Sequence, residues 1–176
     1  AAVAAQDAGN PEAYVAGGIA APSLQNTGDP SLPDVEQMGT DAFRKEYLDH
    51  ARLLADAGAD LILAEYVGYI ADCVAAVDAC ADAGLPVFLG VRHISANGEM
   101  QYGESLADLA KALRGHPVDA LLLMCSHPEA ISAGLPIIKG AFDGPVGGYP
   151  NLGYTPTGPL DANRPMLTNQ LPSQGP

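Results

Sequence analysis

Apolar positions along this chain of 176 residues change their period at regular intervals. Phe43, Tyr47, Ala51 and Leu54 recur every three or four places, the stripe of an amphipathic helix. Thr40 is placed to cap that helix, Asp41 suits its first turn, and Gly58 marks its end. Asp60-Leu61-Ile62-Leu63-Ala64 then runs apolar without alternation, which predicts a strand covered on both faces, as in a parallel sheet. The same unit returns with different residues. Ile70, Val74, Val77 and Ala81 stripe a second helix ended by Gly84, and Pro86 to Val91 is the next strand. Leu106, Leu109, Ala110 and Leu113 stripe a third helix ended by Gly115, before a strand at 119–124. Pro128 opens a fourth, shorter helix for which Gly134 is the expected stop, and Gly144 to Gly148 forms the last strand. An earlier strand, Tyr14 to Ile19, precedes a polar loop around Gly28 to Pro33.

About five strands joined by helices, one unit every 25 to 35 residues or so, is the rhythm of β-α-β units, and it predicts an all-parallel α/β fold. Doubly wound sheets and (β/α) barrels share this local grammar. No Gly-x-Gly-x-x-Gly follows any strand and no Walker sequence occurs, so the nucleotide folds lose ground to a barrel or part of one.

Composition narrows the partners. Twenty-one acids against eight bases leave a net charge of −13, a surface that repels a phosphate backbone, so no nucleic acid is expected. No stretch reaches the roughly 20 apolar residues of a membrane span, so no membrane partner is expected either. Three cysteines, an odd number without a secretory pattern, suit a reducing compartment, the cytoplasm by default. Residues 1–155 are read as one partial barrel domain and 156–176, rich in Pro and Gly, as an irregular tail. The Ala-rich opening reads as the tail of a helix, and both ends have the look of a piece of a longer protein.

Polar side chains collect at the carboxyl ends of the strands: Glu65 and Tyr66, Arg92 and His93, Cys125 with Ser126 and His127, and Tyr149 with Asn151. In a parallel barrel those ends converge on one mouth, where chemistry is done. Each has a plainer reading. A strand-end cysteine is often a small buried hydrophobe, and Cys73 and Cys80, seven apart on an apolar helix face, are expected in the core. Glu65 could simply pair with Arg92, and Tyr149-Pro150-Asn151 could be turn chemistry. No His-x-x-x-His or Cys-x-x-Cys spacing marks a local metal site.

Four segments, in order, resemble the homocysteine S-methyltransferase family: Val15 to Ile19, Ala57 to Glu65, the strand ending in Cys125 with Pro128 after it, and Tyr149-Pro150-Asn151-Leu152-Gly153. The resemblance implies a parallel (β/α)8 barrel of TIM type, incomplete here with about five of eight units. It implies zinc at the mouth held by three cysteines, and methyl transfer to the zinc-activated thiolate of homocysteine to give methionine. Cys125 matches one zinc ligand, with two further Cys ligands expected outside this chain. Glu65 matches a partner for the substrate ammonium, Tyr66 a residue close to zinc in betaine-using relatives, and Tyr149 with Asn151 the floor or rim of the site. The partners implied are homocysteine and a methyl donor, with a homo-oligomer left open. Met124 stands where the family has Asn, and Arg92-His93 replaces a Ser-Phe-Thr type of sequence. With one thiolate of three, the chain alone is expected to be inactive. The other readings are a diverged, non-catalytic barrel acting as a binding or association module, and a metal-independent lyase using Arg92, His93 and Glu65.

Overall fold

The computed structural model describes residues 4, 7–9, 12–21, 29, 31–100 and 102–151. The expected tail at 156–176 and most of the Ala-rich opening lie outside the described residues. The described elements run β1 (Ala16–Ala20), α1 (Asp34–Met38), α2 (Thr40–Asp56), β2 (Leu61–Val67), α3 (Ile70–Ala81), β3 (Val87–Arg92), α4 (Leu106–Ala112), β4 (Ala120–Met124), α5 (Pro128–Lys139) and β5 (Val146–Tyr149).

All five strands are parallel, and their order in the sheet is their order in the chain. Crossovers between parallel strands are right-handed, so an order without reversal lays every connecting helix on one side of the sheet. A doubly wound sheet must reverse its order to cover both sides. The strand order therefore selects the arc of a (β/α) barrel over the open fold that local pattern allows. Burial agrees: Ile62, Ala64, Val87, Leu89, Val91, Leu121 and Leu123 are fully buried, on the face where Phe43, Tyr47, Ala76, Leu109 and Ile138 also lie buried in one core. Leu61, Leu63, Phe88 and Leu122, on the opposite face, keep part of their surface exposed.

Carboxylates from distant parts of the chain hold the elements in place. Asp60, at the foot of β2, accepts the Val15 N–H at 2.7 Å, and Asp119, at the foot of β4, accepts the Val87 N–H at 2.8 Å. Helix α1 begins after Pro33, which supplies no side-chain cap. Asp72 on α3 takes that role, accepting from the N–H groups of Asp34 and Val35 at 3.0 and 2.8 Å. Glu104 caps α3 in the same way, accepting from Ile70 at 2.7 Å.

Several boundaries differ from the sequence reading. Thr40 lies inside α2, whose cap position is Gly39 at φ 81°. Helix α1 was not predicted, because five residues are too few to show a period. Of the expected stripe on α3, Val77 is fully buried while Ile70, Val74 and Ala81 pack against the core only partly buried; Cys73, Ala76 and Cys80 are fully buried beside Val77, so both thiols sit in the core as expected. Gly134 does not end α5, which runs on to Lys139 through Pro136. The glycine is there for space: a Cβ would lie 2.8 Å from Leu123 Cδ1 and 3.0 Å from the Cδ1 atoms of Ile94 and Leu106.

Candidate functional site

Register puts the mouth residues in a row. Arg92 pairs with Met124, and Met124 with Tyr149, so β3, β4 and β5 end level. Side chains on these three positions share the face away from the helices. Glu65 joins them from β2, where the pairing with β3 slips between Ala64 and Val67. Two glycines make room for its carboxylate. A Cβ on Gly18 would come within 3.2 Å of Glu65 Oε1, and one on Gly90 within 3.3 Å of Glu65 Cβ and 2.7 Å of Met124 Sδ.

At the ends of three consecutive strands a residue other than glycine has positive φ: Tyr66, next to last in β2, at 69°, His93, just after β3, at 52° and Cys125, just after β4, at 49°. The left-handed region costs such a residue of order 1 kcal/mol, and strain of this kind concentrates where side chains must be aimed. Surrounding hydrogen bonds hold it. The buried Ser126 hydroxyl donates to the Met124 carbonyl at 2.8 Å and accepts from the Ile94 N–H at 2.9 Å, tying the ends of β3 and β4 together. Its own carbonyl accepts from the Asn151 N–H at 3.0 Å, which brings the segment after β5 alongside.

These contacts bring four of the five predicted residues into one cluster. The Tyr149 phenol donates to Glu65 Oε2 at 3.0 Å and lies 3.2 Å from Met124 Sδ. Cys125 is half-buried rather than packed into hydrocarbon. Burial and then the Glu65 carboxylate push its thiol above the ordinary range, while the Arg92 guanidinium and a hydrogen bond with the Asn151 side chain pull it back in part. Tyr149 is raised as well, by burial first and then by its bond to Glu65. The ring of Tyr66, the fifth residue, packs with Arg92 and His93: the Arg92 guanidinium lies 4.3 Å from its centroid, and His93 meets it edge-on at 6.0 Å. Its backbone N–H still points at Met124 Sδ, 3.5 Å away.

Glu65 does not pair with Arg92: the ion pairs among the described residues involve neither. Arg92 is 5% exposed and its Nε has no hydrogen-bond partner. With Tyr69, whose buried hydroxyl is also without a partner, and with Asp34 and Asp72, it lines a cavity of about 10 Å³, the size of one water.

Met124 and Gly90 were not predicted for the site, whereas Ser126 was named among the polar residues at the strand ends. Strand alternation through Leu122 and Met124 was the available signal for the first, since it places the thioether on the same face as Tyr149. Nothing local marks Gly90.

The residues present do not make a metal site by themselves. Among the described residues no three of His, Cys, Asp and Glu converge, and Cys73 and Cys80 are buried in α3. Cys125 offers a single sulfur, too few donors to hold a metal ion. No helix among the described residues is long and apolar enough to cross a membrane.

The family profile for homocysteine S-methyltransferase matches residues 1–171. Among solved structures, the apo form of the homocysteine methyltransferase MmuM from Escherichia coli matches with TM-score 0.68 at 24% identity, covering 86% of this chain and 55% of that one. Its metallated form matches with TM-score 0.67 at 25% identity, covering 86% and 54%. The chain thus spans about half the length of the solved structures it matches. No curated protein sequence matches it.

Proposed function

The chain belongs to the homocysteine S-methyltransferase family, and from that premise we propose that it forms part of the mouth of a barrel that methylates the thiol of homocysteine to give methionine. The observation that carries this reading is the convergence of Cys125, Glu65, Tyr149 and Asn151 at one end of the sheet. The reaction is a displacement: homocysteine sulfur loses its proton and bonds the methyl carbon as the donor's bond to that carbon breaks. A protein serves such a step mainly by positioning. Glu65 binds the substrate ammonium, and the Tyr149 hydroxyl holds the carboxylate in place for it. Asn151 orients the Cys125 sulfur, and Tyr66 lines the opposite side.

Cys125 is the residue of this chain that would serve zinc, with two further Cys ligands outside the chain. Zinc held by thiolates ionises a bound thiol near neutral pH. One sulfur is too few to hold the ion, so the chain alone is expected to be inactive. Residues 1–155 act as the homocysteine-binding unit, and the compartment is the cytoplasm, in keeping with three free thiols. The methyl donor is a small molecule that enters from the open end.

Protection of Cys125 tests the reading. Homocysteine should slow its alkylation by iodoacetamide, and alanine at equal concentration should not. Equal rates with and without homocysteine would remove the thiol from the binding site. Should methionine form from homocysteine and betaine or S-methylmethionine, the Cys125→Ser variant should lose it; persistence would mean that methyl transfer does not depend on this thiol. The association-module reading has one observation on its side: β1 and β5 carry no outer strand among the described residues.

A further inference from the structure

Four elements of the fold close on the small cavity beside Arg92. Tyr66 comes from the end of β2, Arg92 from the end of β3 and Asp34 from the start of α1, while Tyr69 and Asp72 stand at the cap and in the first turn of α3. Four of these side chains are more than nine-tenths buried: Asp72 is 3% exposed, Arg92 5%, and Asp34 and Tyr69 8% each. Two of them, Arg92 through Nε and Tyr69 through its hydroxyl, have no hydrogen-bond partner, and none of the ion pairs among the described residues includes Arg92. A buried donor left unpaired forfeits its hydration, and a buried cation forfeits more, so two such groups on one cavity call for a shared partner.

The lining dictates the chemistry of that partner. Arg92 Nε–H can only donate, so the partner accepts, which excludes a cation. Asp34 and Asp72 line the same space, so an anion is repelled and the partner must donate as well. Asp72 can still accept: each of its oxygens takes one backbone N–H, from Asp34 at 3.0 Å and from Val35 at 2.8 Å, and keeps a lone pair. A volume of about 10 Å³ is the space of one water and too small for a carboxylate or a phosphate. We propose that this cavity is the binding site of a single structural water, which accepts from Arg92 Nε, bonds the Tyr69 hydroxyl and donates to Asp72. The water carries the contact between the buried guanidinium and the buried carboxylate, at nearly the strength of a direct bond. It ties the end of β3 to α3, and through Asp72 to the start of α1. The guanidinium is then fixed by two contacts, the water and the Tyr66 ring 4.3 Å away, whose backbone is held at φ 69°.

Crystals of the whole chain, grown once in sodium bromide and once in caesium chloride, test the site directly. Both should show one water within about 2.7 to 3.2 Å of Arg92 Nε and of the Tyr69 hydroxyl, with no anomalous signal at that position. Bromide or caesium there would make it an ion site and overturn the assignment. A cavity without an ordered water, or a direct bond from Arg92 Nε to Asp34 or Asp72, would overturn it too. Urea unfolding supplies a second readout. Tyr69→Phe removes the hydroxyl and keeps the ring, which stacks on Tyr102 at 3.8 Å. Arg92 Nε and the Tyr69 hydroxyl make no direct bond, so any coupling between them passes through the water. Combined with Arg92→Met, the Tyr69→Phe change should alter the unfolding equilibrium constant about fivefold less than it does alone. Arg92→Lys, which keeps the charge and lacks Nε, should abolish the same coupling. Strictly additive effects in both pairs would overturn the bridge, and the wild-type crystals decide the matter even where a variant fails to fold.

Discussion

Cys125 is an exposed enough thiol to react and a raised enough one to react slowly. Its neighbours give the sign of each effect: Glu65 disfavours the thiolate, Arg92 and Asn151 favour it, and burial outweighs them all. Alkylation of native protein should therefore label Cys125 first, with a pH midpoint above that of a free thiol. Glu65→Gln should lower that midpoint and Arg92→Met should raise it, as read from iodoacetamide rates between pH 7 and 10. Cys73 and Cys80 should stay unlabelled until the protein unfolds, since both are fully buried and the Cys80 thiol is pushed up to about 12. The sequence placed Cys125 at a strand end and the other two on a helix face, which is why their contrast was foreseeable.

At the scale of elements, Asp72 joins two helices that have no common turn. Burial lifts its carboxyl to about 6, above the roughly 3.9 of an unfolded aspartate, despite the hydrogen bonds from Val35 and Asp34 that favour its charge. The folded chain thus holds the proton more tightly, and stability from this group is present below about pH 4 and is lost as pH rises to about 6. Asp72→Asn should flatten that slope, as seen in urea midpoints measured across the interval. Gly134 shows the other kind of element-level constraint. Gly134→Ala gains up to about 1 kcal/mol of helix propensity but drives a methyl into Leu123, Ile94 and Leu106, all fully buried or nearly so. A net loss of about 1 to 2 kcal/mol in denaturant unfolding is the expected result. Glycine spacing alone read as a helix stop here, because the crowding that calls for it comes from β4 and from residues more than 25 positions away.

For the molecule as a whole, the sheet is an arc with two free edges among the described residues and an inner face that keeps Leu61, Leu63, Phe88 and Leu122 partly exposed. Apolar surface and unpaired strand edges favour association, and a net charge of −13 opposes it. Added salt screens the charge without weakening the apolar term. Sedimentation velocity should accordingly show the chain monomeric at low salt and low concentration, with its average mass rising between about 0.05 and 0.5 M sodium chloride. A constant mass over that range would mean that the edges are already covered.

Hydrophobic period and strand-end chemistry suffice to derive parallel β-α units, their number and the residues that end them, because helix and strand periods are local properties of the chain. They also carried the resemblance of residues 15–153 to one family. Which way the sheet winds was not local: it depends on strand order, and chain order without reversal is visible only once the strands pair. The same holds at the mouth. That Glu65 meets Tyr149 across 84 positions, that Arg92 stacks on Tyr66 instead of pairing with Glu65, and that Met124 fills the space left by Gly90 are products of register and of three strained strand ends. Register is set by the whole packed sheet, so these contacts had to wait for the tertiary structure.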